Sequence, residues 1–101
     1  MEEKFIAAWA YAREKAAGLG VKMRPVAAEE AMKSAHRCLS GRRLSDGFNV
    51  LKEMGRLDLT LEALAIDKRY TGLFTDEEAN EALTRLLEAG YAFPFGEGGR
   101  A

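Results

Sequence analysis

The stretch TDEEANEALTRLLEAGY, residues 75–91, most restricts what this chain can fold into. Thr75 stands where a helix N-cap would accept from the backbone, and Glu78 follows three residues later as its capping-box partner. Ala79, Ala82, Leu83, Leu86 and Leu87 then recur at spacings of three and four, until Gly90 offers a left-handed stop. A chain carrying such a helix needs apolar faces of the same period to bury it. Nothing upstream shows the strict alternation of a half-buried strand.

The upstream segments share that period. Phe5, Ala8, Trp9, Ala12 and Ala16 form a stripe over residues 3–18, broadened by Ile6 and Ala10 and stopped by Gly18 and Gly20. Pro25 suits the first turn of a second helix, whose inner face is Ala28, Ala31, Met32, Ala35 and Leu39 and whose left-handed cap is Gly41. Ser45 is a natural N-cap for a short third helix, with Asp46 at its positive end and Phe48, Leu51 and Val50 or Met54 facing inward. Thr60 or Asp58 would cap a fourth helix through Leu61, Leu64 and Ala65, with Tyr70, Leu73 and Phe74 as packing residues. The expectation is an all-α, compact, single-domain bundle of about five short helices over residues 1–93. Residues 94–101, rich in glycine, read as a flexible tail.

At 101 residues and 48% hydrophobic, the chain supports one core. No run of apolar residues approaches a membrane span, and the acidic start MEEKF lacks the basic region of a secretion signal. The single cysteine, Cys38, cannot form an intramolecular disulfide, so a cytoplasmic location is expected. It also lacks metal-ligand spacing. His36, two positions away, points about 200 degrees from it on a helix, which disfavours a metal pair or a nucleophile and base. No glycine-rich stretch opens a helix after a strand. These observations favour a protein without catalytic residues, metal or cofactor.

Charge is more informative. Residues 1–44 hold nine Lys and Arg against five Glu, whereas residues 45–101 hold six against eleven acids. The net charge of −1 therefore conceals two opposed halves. Lys33, Arg37, Arg42 and Arg43 form a candidate basic patch, for an acidic partner surface or phosphate; as helix-end cations they would equally complement a dipole. Asp76, Glu77, Glu78 and Glu81 form a candidate acidic face. Tyr91, Phe93 and Phe95 are a candidate apolar dock, with packing of Tyr91 and Phe93 back onto the core as the structural reading.

The segment from Phe48 to Phe93, FNVLKEMGRLDLTLEALAIDKRYTGLFTDEEANEALTRLLEAGYAF, resembles the helix-turn-helix or winged-helix family in its rhythm. That resemblance implies a helix-turn-helix-like C-terminal half in which the helix after Thr75 would read DNA. The acids of its first turns depart from the pattern, because they would meet phosphate with like charge. The resulting expectation is a small interaction or regulatory protein, of adaptor or inhibitor type, docking a protein partner. DNA or RNA binding through residues 33–43 stands second, homodimerisation is compatible with both, and no membrane partner is expected.

Overall fold

The computed structural model describes residues 2–41 and 43–91, with the side chain of Thr71 excluded. It is an all-α fold. Five α-helices are present among the described residues: α1 (Glu2–Gly18), α2 (Ala31–Ser40), α3 (Phe48–Glu53), α4 (Leu61–Ala65) and α5 (Asp76–Glu88). Three 3-10 segments, Ala28–Glu30, Leu57–Leu59 and Lys68–Leu73, join them, and no strand occurs among those residues. The radius of gyration is 12.8 Å, matching the roughly 13 Å of a compact chain of about 100 residues.

The main core gathers Phe5, Trp9, Ala12 and Ala16 of α1, Ala31, Ala35 and Leu39 of α2, and Leu61, Leu64 and Ala65 of α4. Alanines dominate the facing surfaces of α1 and α2, so the larger volume is supplied by aromatics. The Phe5 ring lies edge-on to Tyr70 and Phe74, with centroids 5.4 and 5.2 Å away. A smaller cluster joins Phe48, Leu57 and Leu86, with Tyr91 packed against it.

The last helix forms as its grammar dictates. Thr75 accepts from the Glu78 amide, and the Glu78 carboxylate accepts from the Thr75 amide, completing the capping box. Gly90 adopts φ +82°, which lets the Tyr91 amide reach back to the Leu86 carbonyl at 3.0 Å and close the C-terminus. Ala82 and Leu86 are buried, but Leu87 is 56% exposed because its position lies at the rim of the stripe.

Several local expectations change in the fold, and Val50 and Met54, one of which was expected to face inward, are both exposed. Pro25 precedes α2 in a segment without regular structure, and the helical turns begin only at Ala28, which is exposed. Gly41 ends α2 at φ −90° and ψ −170°, so it is no left-handed cap. Ser45 does not cap α3; Gly47 at φ +77° takes that position, because the Ser45 hydroxyl is directed to Glu62 instead. Asp46 likewise turns away and accepts from the Arg24 amide at 2.9 Å. Thr60, rather than Asp58, caps α4, while Asp58 pairs with Arg56.

Candidate functional site: an arginine-rimmed cleft

Between α1, residues 23–26, the end of α2 and residues 43–46 lies a cleft of about 610 Å³. Its walls include Arg13, Arg24, Arg37 and Arg43, with Trp9, Met23, Val26, Leu44 and Leu61 supplying apolar surface. Asp46 is the one acid on the described lining. It is already engaged, with the Arg24 amide at 2.9 Å and the Arg24 guanidinium at 3.9 Å. The cleft therefore combines four guanidinium groups with apolar walls, at a volume typical of ligand sites.

Arg13 differs from the other three. It follows Trp9 by one helical turn, and its guanidinium carbon lies 4.7 Å from the indole centroid. Its Nη1 is closed to solvent and has no hydrogen-bond partner, and burial lowers the guanidinium pKa from its ordinary value. A buried donor without an acceptor costs about 1–3 kcal/mol, more when charged. A second cleft of about 570 Å³, lined by Ala10, Glu14 and Val21, also borders Arg13 and Arg24.

A buried polar network positions one wall. Glu62 is fully buried on α4 and is compensated by three donors: the Ser45 amide at 3.1 Å, the Ser45 hydroxyl, and Arg85 Nη1 at 2.9 Å. The Arg85 guanidinium, reaching in from α5, also donates to Glu81 at 2.7 Å and to the Cys38 and Gly41 carbonyls at 3.1 and 3.0 Å. Those carbonyls terminate α2, so Arg85 does the work of a C-terminal cap from another helix. Because Ser45 is held by Glu62, residues 43–45 are anchored next to the cleft.

The residues expected to bind partners are distributed unevenly. Arg37 and Arg43 are exposed on the cleft, Lys33 is exposed on α2 away from its lining, and Arg42 lies outside the described residues. Of the candidate acidic face, Asp76 and Glu77 are exposed. Glu78 is buried, accepting from Thr75 and lying 2.8 Å from His36 Nδ1, and Glu81 holds Arg85. Two of those four carboxylates are thus already paired within the fold, Glu78 buried and Glu81 partly exposed. Tyr91 is half-buried against the smaller cluster, and Phe93 and Phe95 lie outside the described residues.

Burial raises the Tyr91 phenol pKa, with Asp58 and Asp67 adding to the effect. The Cys38 thiol borders the cleft but is also raised, first by burial and then by Glu62, so it is held in its less reactive protonated form. No group of three or more His, Cys, Asp or Glu that would hold a metal occurs among the described residues. Nor is any described helix long and apolar enough to cross a membrane.

Arg13, which packs on Trp9, and Arg24 are the arginines of the described cleft lining absent from the expected basic patch. The spacing of Trp9 and Arg13, four apart on one helix, was a readable signal of contact. Their approach to Arg37 and Arg43 was not, since it depends on how α1 meets α2. The arrangement also bears on the helix-turn-helix expectation: the first turn of α5 is packed against α2 through Glu78 and His36 instead of standing clear for a groove. No protein-family model, curated protein or solved structure matches the chain.

Proposed function

We propose that this chain is a small non-catalytic interaction protein, acting in the cytoplasm, that docks an acidic segment of a partner protein in the arginine-rimmed cleft. The observation that carries this reading is the convergence of Arg13, Arg24, Arg37 and Arg43 on one concavity whose described lining holds one acid, already paired. Guanidinium groups grip carboxylates in a bidentate fork. The apolar walls add area that an extended segment with alternating acidic and apolar side chains would cover. An adaptor or inhibitor role fits such a dock.

Nucleic-acid phosphate is the second reading, supported by the same arginines. Protein is favoured because the charges line an apolar-walled cleft, and because the chain's net charge of −1 provides no overall attraction to a polyanion. Fluorescence anisotropy with a labelled Asp/Glu-rich 12-residue peptide and a labelled 20-nucleotide DNA, single- and double-stranded, separates the two. The peptide is expected to bind, and Arg37→Glu with Arg43→Glu to abolish that binding while the circular dichroism spectrum is kept. Preferential binding of DNA with a steep salt dependence replaces this reading by the second. Concentration-dependent self-association lost in the same double variant and in Asp76→Lys with Glu77→Lys would make the acidic segment that of a second copy.

A further inference from the structure

Arg13 is the one arginine of the described cleft lining with a buried donor that has no acceptor in the described fold. Arg24 has Asp46, while Arg37 and Arg43 are exposed to water. Arg13 Nη1 is closed to solvent and has no protein acceptor, and the guanidinium rests over Trp9. A group held so gains more from an entering acceptor than a hydrated one does, because it gives up no water to form the bond. Since Nη1 is shut off from solvent, an incoming oxyanion reaches it only by drawing the guanidinium out of its seat. Trp9, the single tryptophan of the chain, then loses the cation above its ring.

Resting on the docking reading above, we propose that Arg13 is the specificity-determining anchor of the cleft, taking one oxyanion of the bound segment in a bidentate grip as it moves off Trp9. The same chemistry is offered by a carboxylate and by a phosphorylated side chain, which adds a third acceptor oxygen and a second negative charge. Arg37 and Arg43, at the exposed margin, supply attraction without a required geometry.

Titration of an acidic peptide, with Ser, Glu or phosphoserine at its centre, followed by Trp9 fluorescence and independently by anisotropy, tests this. Arg13→Gln is expected to weaken binding roughly tenfold or more and to remove the tryptophan response at saturation. Arg13→Lys keeps the charge but not the fork, and is expected to restore only part of the affinity. Arg37→Glu is expected to weaken binding yet leave the tryptophan response intact once saturated. Tighter binding of the phosphoserine peptide in the wild type, with that gain lost in Arg13→Gln, identifies phosphate as the source; equal binding of the Glu peptide identifies carboxylate. If Arg13→Gln binds the peptides as the wild type does, with the same tryptophan change, the anchor proposal falls and the docking reading stands. If no peptide binds the wild type, the docking reading itself falls and takes the anchor with it. Thermal melts of each variant confirm that the losses are not those of unfolding.

Discussion

Arg85 Nη1 donates to Glu62 Oε2 across 2.9 Å, with the arginine side chain 4% and the glutamate side chain 0% exposed. Two charges so far from water persist only because each is fully engaged: Glu62 also by Ser45, and Arg85 also by Glu81 and the end of α2. Removing one partner strands the other. Arg85→Leu or Glu62→Leu is expected to destabilise the fold by about 3–5 kcal/mol, measured by urea denaturation. The double substitution is expected to cost clearly less than the sum of the two, since neither charge is then left behind. Additive losses would mean the pair is not coupled.

Phe5 is fully buried, with Tyr70 and Phe74 edge-on around it. It connects α1 to the 3-10 segment after α4 through ring contacts that alanine cannot replace. Phe5→Ala is expected to cost about 3–5 kcal/mol in denaturant, with the methyl exchange of neighbouring core residues broadened in NMR spectra. A loss under 1 kcal/mol would contradict this packing.

Gly47 and Gly55 share a left-handed backbone, at φ +77° and +72°, yet differ in surroundings. A Cβ on Gly55 meets nothing within 4 Å, whereas on Gly47 it would meet Met23 Cε at 2.9 Å and Val21 Cγ1 at 3.0 Å. Gly55→Ala is expected to cost about 1–2 kcal/mol, the backbone cost alone. Gly47→Ala should cost more in the same melt, and should shift the resonances of Met23 and Arg24 on the cleft wall. Equal losses for the two would show that Met23 yields without resistance.

Glu78 carries a pH dependence. Burial raises its pKa, but the Thr75 amide and His36 outweigh that and hold it below the ordinary 4.5. A lowered carboxyl favours the fold above its unfolded value, and that contribution is lost as pH falls through the folded one. Stability is therefore expected to decline below about pH 4.5. Glu78→Gln should flatten the decline. Thr75→Ala should remove the cap, for about 1 kcal/mol, and with it part of the acid sensitivity. An unchanged acid limb in Glu78→Gln assigns the sensitivity to another carboxylate.

The Cys38 thiol, raised by burial and by Glu62, is expected to react with iodoacetamide at pH 8 more slowly than an unhindered thiol, by mass spectrometry. Reaction at the unhindered rate would mean that the cleft opens around it.

What the sequence determined by itself was the periodic part. The stripes of α1 and α5, the capping box at Thr75 and Glu78, and the stop at Gly90 follow from spacings of three and four and from backbone rules that act within a few residues. Tertiary structure alone decided where the polar side chains are used. Glu62 sits between Leu61 and Ala63, and Arg85 lies four residues after Glu81; both have the local pattern of a solvated helix, and the fold buries them together. Ser45 was diverted from its expected cap to Glu62, and Glu78, while keeping its capping box, was drawn from the expected acidic face to His36. The cleft belongs to this second category, because Arg13 and Arg37 come to line one cavity only once α1 and α2 are packed. Local rules set which residues face inward, but the pairing of charges depends on distances across the core that no short stretch of chain encodes.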